Sequence, residues 1–311
     1  MLSGFLVLNK PAGFTSHDAV AKLRGILKMR RVGHAGTLDP MAEGVLVMLL
    51  GTATRASEYA SGADKEYVAG FELGVTTDTQ DSSGTVLSRA PVTASRQKVE
   101  ETVRGFLGQS EQMPPMYSAV QVGGVRLYDL ARQGIEVERK SRGITISDIE
   151  LLPPRQEDGP NEYRLRAVCS KGAYIRTLCH DIGQRLGCGA CMTSLTRIRS
   201  GGFTLQDALG FDEIAAAAAE GRLESLVRPV DGLFADLPAL VVNAEGEKRA
   251  VNGAHLTGRH LQKGSVPPEG ELCRVYAPDG GFLLLGVSGP LDRGGLAVFC
   301  RKYFTVKEEH A

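Results

Sequence analysis

The sequence lacks an apolar segment long enough to span a membrane. Its longest strongly apolar runs, residues 45–50 and 282–287, are far below the ~20 residues that a membrane-spanning helix needs. The first eight residues also lack the basic start of a secretory signal, and Lys10-Pro11 follows too soon for one. We therefore expect a cytoplasmic protein without a membrane partner.

Several motifs of cofactor and metal chemistry are missing as well. Neither the phosphate-binding patterns GxxxxGKS and GxxxxGKT nor the zinc-binding pattern HExxH occurs. The six cysteines include one CxxC pair, Cys188 and Cys191, without a second pair at zinc-finger spacing. Ser16, His17 and Asp18 cannot form a hydrolytic triad, because consecutive residues on a helix do not face one another. We expect buried, reduced thiols and neither a metal nor a cofactor.

The chain has no net charge, with 36 basic and 36 acidic residues, but its charges are unevenly distributed. Residues 1–55 hold seven Lys or Arg against three acids, and residues 163–201 hold seven against one. Residues 204–240 hold seven acids against two Arg. Basic charge concentrated in two segments predicts a nucleic-acid-binding face; the alternative is ordinary surface charge.

Length and hydrophobic periodicity predict two domains, or one large domain with a small appendage. The spacing of apolar residues predicts one helix after Ser16, which is its expected N-cap, and another after Ser95. It also predicts helices over residues 175–186, before Gly187, and over residues 212–220. Strand patterns cover residues 67–73 and 163–169. After a boundary within residues 229–238, short strands at 271–276, 282–287 and 296–299 predict a small β-barrel.

Residues 112–140 have little hydrophobic periodicity. They contain Pro114-Pro115, Gly123-Gly124 and Gly134, which favour turns over long regular elements. Excursions of this length are usually functional or disordered. We expect a long mobile segment.

One acidic residue occupies a loop suited to catalysis. The run Gly33-His34-Ala35-Gly36-Thr37-Leu38-Asp39-Pro40 precedes the apolar residues 45–50, which indicate a buried strand. A carboxylate in such a loop can be partly desolvated and held in one pose, as a catalytic aspartate must be. Taken alone, Asp-Pro is equally well explained as turn chemistry.

Six blocks of sequence are distributed along nearly the whole chain. The blocks are residues 33–40 with Gly44-Val45-Leu46 and Gly51-Thr52-Ala53-Thr54-Arg55; Asp64-Lys65-Glu66-Tyr67; Leu73-Gly74 with Thr77-Asp78-Thr79 and Asp81; Pro114-Pro115-Met116-Tyr117-Ser118-Ala119 with Tyr128-Asp129-Leu130-Ala131-Arg132; Gly172-Ala173-Tyr174-Ile175-Arg176-Thr177-Leu178; and Leu195 with Arg197, Arg199, Ser200 and Gly201. Together they resemble the TruB family of tRNA pseudouridine synthases. Any single block is weak, but six in the family's order and spacing are specific.

The resemblance implies an enzyme that isomerises uridine to pseudouridine at position 55 in the T loop of tRNA. The base is detached from C1′ through N1, rotated and rejoined through C5, without a redox step, an energy source or a metal. The implied fold is α+β, with a mixed-sheet catalytic domain over residues 1–235 and a C-terminal PUA-like RNA-binding β-barrel over residues 236–311. Residues 112–140 match a mobile thumb. The T-arm of tRNA is the expected partner, and we expect a monomer.

The resemblance also implies the catalytic residues. Asp39 matches the family's nucleophilic aspartate, which either attacks C1′ or promotes a glycal intermediate. Arg176 matches the arginine that pairs with this carboxylate and fixes its pose. Tyr67 matches the tyrosine that stacks on the target base and assists proton removal.

Three further positions match substrate-binding residues. Tyr174 matches a second active-site tyrosine, and Leu195 matches an apolar residue that helps exclude water. Core packing is the structural alternative for both, as it is for Tyr67. His34 matches a histidine that fills the space vacated when the target base is flipped out of the loop.

Two other functional classes remain as alternatives. A non-catalytic tRNA chaperone would keep the basic segments, but it would not need Asp39, Tyr67 and Arg176 together. A hydrolase with an aspartate nucleophile would act on small molecules, and it would not need the basic segments.

Overall fold

The computed structural model describes residues 2–304. Residue 1 and residues 305–311, at the ends of the two predicted domains, lie outside that range. The strands are β1 (Gly4–Lys10), β2 (Val32–Ala35), β3 (Glu43–Leu50), β4 (Lys65–Leu73), β5 (Val75–Thr77), β6 (Val86–Arg89), β7 (Gly108–Gln112), β8 (Gln121–Val122), β9 (Val125–Arg126), β10 (Arg142–Leu151), β11 (Glu162–Cys169), β12 (Ala190–Ser200), β13 (Phe203–Thr204), β14 (Ala239–Val242), β15 (Leu261–Lys263), β16 (Leu272–Tyr276), β17 (Phe282–Pro290) and β18 (Leu296–Tyr303). The α-helices are α1 (Ser16–Leu27), α2 (Ser57–Ala60), α3 (Arg96–Arg104), α4 (Leu127–Arg132), α5 (Ile175–Arg185), α6 (Phe211–Ala219), α7 (Leu223–Leu226) and α8 (Ala244–Val251).

A nine-stranded mixed sheet forms the larger part of the molecule. Its main path runs β1-β3-β12-β4-β11-β10-β7, with β2 paired to β3 and β13 paired to β12. The β12–β3 pair is parallel, and the other pairs in this sheet are antiparallel. Helices α1, α3, α5 and α6 contribute apolar residues to the core that covers one face. The predicted α+β class with a mixed sheet is confirmed.

Strands β1 and β3 are buried on both faces. On β3, Leu46 and Met48 belong to the main core, whereas Val45, Val47 and Leu49 belong to a separate cluster on the opposite face. A strand covered on both sides has no reason to alternate with polar residues. This explains the unbroken apolar run that follows the Asp39 loop.

Helix α1 begins one residue earlier than predicted. Its N-cap is Thr15, whose hydroxyl accepts from the backbone N–H of Asp18, while the Asp18 carboxylate accepts from the N–H of Thr15. This reciprocal pair satisfies two amides at the helix start. Ser16, which we predicted as the cap, instead hydrogen-bonds to the main chain of Leu38. The predicted cap of α3, Ser95, is confirmed.

The segment at residues 112–140 is more ordered than its sequence suggests. It contains the short hairpin β8–β9 and helix α4, and the side chain of Leu127 at the start of that helix is fully buried. Val122 and Val125 remain exposed at the hairpin. Pro114, Pro115 and Ser118 near the start of the segment are buried as well.

A second sheet of five strands lies in the C-terminal part, in the order β15-β14-β16-β17-β18. An isolated bridge pairs Leu256, shortly before β15 at one edge, with Val298 of β18 at the other. The two edges are thereby brought together, as the predicted small barrel requires. The ring of Phe234 contacts both Tyr59 of α2 and Phe304, which directly follows β18.

Within residues 2–304, no helix is both long enough and apolar enough to cross a membrane.

Gly44 holds the parallel pairing of β3 with β12 in close register. Its φ of 102° lies in the region that favours glycine, and it is paired with Arg197 of β12. A Cβ at this position would lie 2.3 Å from the carbonyl oxygen of Arg197. Side chains other than hydrogen are therefore excluded by both the backbone conformation and the neighbouring strand.

We predict that Gly44→Ala lowers the free energy of unfolding by about 2–4 kcal/mol, because backbone strain and a steric clash add. Urea denaturation measures the change. Gly13→Ala is the matched control: Gly13 also has a positive φ, 84°, but a Cβ added there would have no atom within 4 Å. Equal losses in the two variants would contradict the close approach of β3 and β12.

Candidate active site

A cavity of about 250 Å³ opens where the Asp39 loop, the middle of the large sheet and the start of α5 meet. Its wall is built from segments far apart in the chain. The lining residues are Gly36, Thr37, Leu38, Asp39, Ser61, Lys65, Tyr67, Ser118, Ala119, Ser170, Gly172, Ala173, Tyr174, Ile175, Arg176, Leu195 and Arg197. Five of the six predicted site residues are in this set.

Asp39 and Arg176 form a two-pronged ion pair in the cavity wall. Arg176 Nε lies 2.9 Å from Asp39 Oδ2, and Arg176 Nη2 lies 3.1 Å from Asp39 Oδ1. The arginine side chain is 5% exposed and the aspartate side chain 33% exposed. A planar guanidinium that holds both carboxylate oxygens fixes the carboxylate in one orientation. The exposed part of Asp39 is left facing the cavity.

Two further N–H groups of Arg176 donate to main-chain carbonyls. Nη1 donates to the carbonyl of Thr79 at 3.1 Å, and Nη2 donates to the carbonyl of Tyr117 at 2.8 Å. Asp81, itself almost fully buried, lies 3.7 Å from Arg176 Nε. A buried guanidinium requires such partners, because an unpaired buried charge is strongly destabilising.

The loop that carries Asp39 is fixed from two sides. Ser16 accepts from the N–H of Leu38 at 2.9 Å and donates to its carbonyl at 3.2 Å. Arg197, which is fully buried, donates to the carbonyls of Val45 and Gly36 at 2.6 and 2.9 Å. Both contacts bind main chain next to Asp39, so the position of the carboxylate does not depend on Arg176 alone.

Tyr67 and Leu195 form the sheet side of the cavity. Tyr67 is opposite Arg197 in the β4–β12 register, and Leu195 is opposite Ala69, so the two side chains lie diagonally on one face. Both are buried. Burial raises the pKa of Tyr67, with Arg197 acting in the opposite direction. The phenol therefore keeps its proton at neutral pH.

Lys65, on the same strand as Tyr67, also lines the cavity. Its ammonium donates to the carbonyls of Ser61 and Ala63, and burial lowers the pKa of Lys65 to about 8. These bonds engage it with the loop before β4.

Tyr174 immediately precedes α5 and faces the cavity opposite the sheet. The Arg142 guanidinium lies 5.5 Å from the centre of its ring, a distance typical of a cation–π contact. Tyr174 is half-buried, so its ring is accessible from the cavity.

His34 is the one predicted site residue that does not line the cavity. It lies on β2, two residues before Gly36, and its ring contacts that of His17 edge-on with centres 5.5 Å apart. Its Nδ1 is buried and lacks a hydrogen-bond partner within the described residues. Burial, with a smaller effect of the His17 and Arg197 charges, lowers the pKa of His34 to about 4.

The strongly basic segment at residues 163–201 is not the free positive face that its charge count predicts. Arg166 pairs with Glu66, Asp148 and Glu150, and Arg199 pairs with Glu66. The remaining paired or buried arginines of the segment are Arg164, Arg176 and Arg197. The prediction counted charge along the chain, whereas acids from β4 and β10 neutralise this segment in space.

The six cysteines are all free thiols, and five of them are buried, as predicted. Between residues 2 and 304, no three His, Cys, Asp or Glu side chains are grouped so as to hold a metal ion.

Sequence reasoning gave no role to several residues that shape the site. Asp81, Lys65 and Arg197 stand in the family blocks and could have been singled out there. Ser16 was assigned to a helix cap. Gln112 carries no local signal beyond its place where β7 ends and the thumb segment, residues 112–140, begins.

Models of known protein families match two consecutive ranges of the chain. The model for TruB family pseudouridylate synthase (N terminal domain) matches residues 24–175. The model for tRNA pseudouridylate synthase B C-terminal domain matches residues 176–235. The protein is thus of the pseudouridylate synthase class.

Relatives that match over most of their length identify the family within this class. The chain is 49% identical to tRNA pseudouridine synthase B of Heliobacterium modesticaldum, over 88% of this chain and 87% of that protein. It is 44% identical to the protein of the same name from Moorella thermoacetica, over 94% of this chain and 96% of that one. The chain belongs to the TruB family.

Solved structures agree on the fold. A chain in the crystal structure of a Cbf5-Nop10-Gar1 complex superposes with a TM-score of 0.74 at 27% identity, covering 97% of this chain and 85% of that chain.

We predict that His34 stays neutral between pH 5 and 8, because burial disfavours its charged form. Its folded pKa lies below the unfolded value of 6.5, so the unfolded state takes up the proton first. The contribution of His34 to stability therefore falls as the pH drops from about 6.5 towards 4. Carbon-detected NMR titration, with His34→Gln to assign the signal, measures this; a midpoint near 6.5 would contradict the buried position.

Proposed function

We propose that this protein isomerises uridine to pseudouridine in tRNA, at position 55 of the T loop. The observation that carries the proposal is the two-pronged Asp39–Arg176 pair in a cavity that two tyrosines also line. The names of the relatives, tRNA pseudouridine synthase B, support tRNA as the substrate.

The reaction breaks the N1–C1′ bond and forms a C5–C1′ bond. A proton leaves C5 and N1 gains one, so the composition of the nucleotide is unchanged. Asp39 supplies the carboxylate that promotes loss of the base from C1′. Arg176 holds that carboxylate in one orientation, because its guanidinium donates to both carboxylate oxygens.

The target base must leave its stack to reach the cavity. Tyr67 lies buried on β4, where its ring can stack on the flipped base. Because burial raises the pKa of Tyr67, its phenol is protonated at rest, which favours stacking over a role as the base that removes the C5 proton. Leu195 excludes water from the same side, and Tyr174 bounds the base opposite.

The remaining elements bind the RNA around the site. Neutral His34, just outside the cavity, fills the space that the flipped base vacates. The thumb segment closes over the T-arm, and residues 236–311 form a PUA-like domain that follows the catalytic domain at residues 1–235. We propose that the protein acts as a monomer in the cytoplasm, where its tRNA substrates are.

A purely binding role is less well supported. Burying Arg176 beside a partly exposed carboxylate costs desolvation energy, which a tRNA chaperone would not need to spend.

We predict that Asp39→Asn abolishes tritium release from tRNA labelled at uridine C5, because the amide cannot supply the carboxylate. Filter-binding affinity for the same tRNA changes little, since affinity is spread over many phosphate contacts. Asp212→Asn, an exposed position in the first turn of α6, serves as control and retains both properties. Turnover near wild type in Asp39→Asn would remove Asp39 from the mechanism.

We predict that Arg176→Lys slows the single-turnover rate at saturating enzyme by at least about 100-fold, because lysine keeps the charge but cannot hold both carboxylate oxygens. Binding of tRNA changes little. Arg185→Lys, on the same helix but at its exposed end, is the matched control. A normal rate with weakened binding in Arg176→Lys would make Arg176 a phosphate contact instead.

A further inference from the structure

The side chain of Gln112 hydrogen-bonds to the main chain of Tyr174, which lines the candidate active site. Gln112 Oε1 accepts from the N–H of Tyr174 at 2.7 Å, and Gln112 Nε2 donates to the carbonyl of Tyr174 at 3.0 Å. The glutamine is 4% exposed. The buried amide of Gln112 thus hydrogen-bonds to both the N–H and the carbonyl of Tyr174, which lies 62 residues away in the chain.

Gln112 stands at the base of the thumb segment. It is the last residue of β7, and its cross-strand partner is Arg142, the first residue of β10. Arg142 places its guanidinium 5.5 Å from the centre of the Tyr174 ring. The strand entering the thumb therefore holds the main chain of Tyr174, and the strand leaving it contacts the ring.

Hydrogen bonds to Tyr174 account for a buried glutamine at this position. On its other side Gln112 lines a second cavity of about 250 Å³, whose wall is apolar at Ile144 and Leu178 and charged at Glu111 and Asp181. Burying a polar group is unfavourable without hydrogen bonds. The backbone of Tyr174 supplies both bonds that the buried Gln112 amide makes within residues 2–304.

The hydrogen bonds between Gln112 and Tyr174 also affect the position of Arg176. The carbonyl that Gln112 contacts is the acceptor for the N–H of Leu178, the first i to i+4 bond of α5. No side chain caps this helix at Tyr174. The direction in which α5 leaves the loop, and with it the position of Arg176 in its first turn, depends on how Tyr174 is held.

We propose that Gln112 is a positioning residue for the isomerisation: from the base of the thumb it fixes Tyr174 and the start of α5 in the pose that the reaction needs. The inference rests on the proposed function and extends it by coupling the thumb to the catalytic pair. It predicts that the chemical step depends on Gln112 more than tRNA affinity or folding does.

The first test replaces the amide by an apolar side chain of similar size. We expect Gln112→Leu to lower the single-turnover rate of tritium release by about 10–100-fold, because small displacements of catalytic groups have effects of this size. The Kd for tRNA stays within about twofold. Gln109→Leu is the matched control, since Gln109 is on the same strand but exposed, and it keeps the wild-type rate.

The second test uses a residue whose protonation decides whether both hydrogen bonds to Tyr174 can form. In Gln112→Glu, a protonated carboxyl can accept from the N–H of Tyr174 and donate to its carbonyl, as the amide does, whereas a carboxylate faces that carbonyl with like charge. We expect the ratio of variant to wild-type rate to rise at least fivefold from pH 8 to pH 5.5. A role confined to overall folding would not produce this rescue.

Other charged groups near Gln112 can also change the rate with pH, so the test needs a control for them. Glu111 on β7 and Asp181 and Arg185 on α5 line the second cavity with it, and Arg142 faces it across the strand pair. Wild type shares these groups, so the rate ratio removes their titration, and Gln109→Glu tests the effect of an added acid on β7.

The outcomes separate this inference from the proposed function. Absence of tritium release by the wild-type protein would overturn the function itself. An active wild type with a normal rate in Gln112→Leu, or a pH-independent rate ratio in Gln112→Glu, would overturn only the positioning role. Should Gln112→Leu fail to fold, the pH profile of Gln112→Glu decides alone.

Discussion

The ion pair between Asp39 and Arg176 is the interaction on which the rest of the site depends. A guanidinium buried to 5% exposure destabilises the fold unless its donors are matched. Three separate segments supply acceptors to Arg176 of α5: the Asp39 loop, the turn at Thr79 and the thumb at Tyr117. Because the buried guanidinium of Arg176 needs hydrogen-bond acceptors, these segments lie side by side in the cavity wall.

The scaffold around this pair is rigid where the chemistry needs it. The fully buried Arg197 and the hydroxyl of Ser16 bind the main chain on both sides of the Asp39 loop. Strand β4 presents Tyr67 from the centre of the large sheet. The thumb segment, by contrast, has one fully buried leucine and exposed valines at its hairpin.

Four arginines of residues 163–201 make their contacts within the fold. Arg166 and Arg199 share Glu66 across neighbouring strands, and Arg176 and Arg197 serve the site. Attraction for tRNA must then come from basic residues outside these pairs, such as the exposed Arg30 and Arg31 after α1. Neutral net charge is compatible with RNA binding, because what matters is the local distribution of unpaired cations.

The sequence by itself determined the elements whose signals are local: the cap of α3 at Ser95, the alternation of β11, and the apolar run of β3. Resemblance to a family added Asp39, Tyr67 and Arg176 as candidates. Only the tertiary structure decided that Ser16 holds Leu38 instead of capping α1, that Glu66 neutralises Arg166, and that Gln112 grips Tyr174. Each of these contacts joins residues more than 20 positions apart, and a hydrogen bond or ion pair between such residues leaves no periodic trace in either segment.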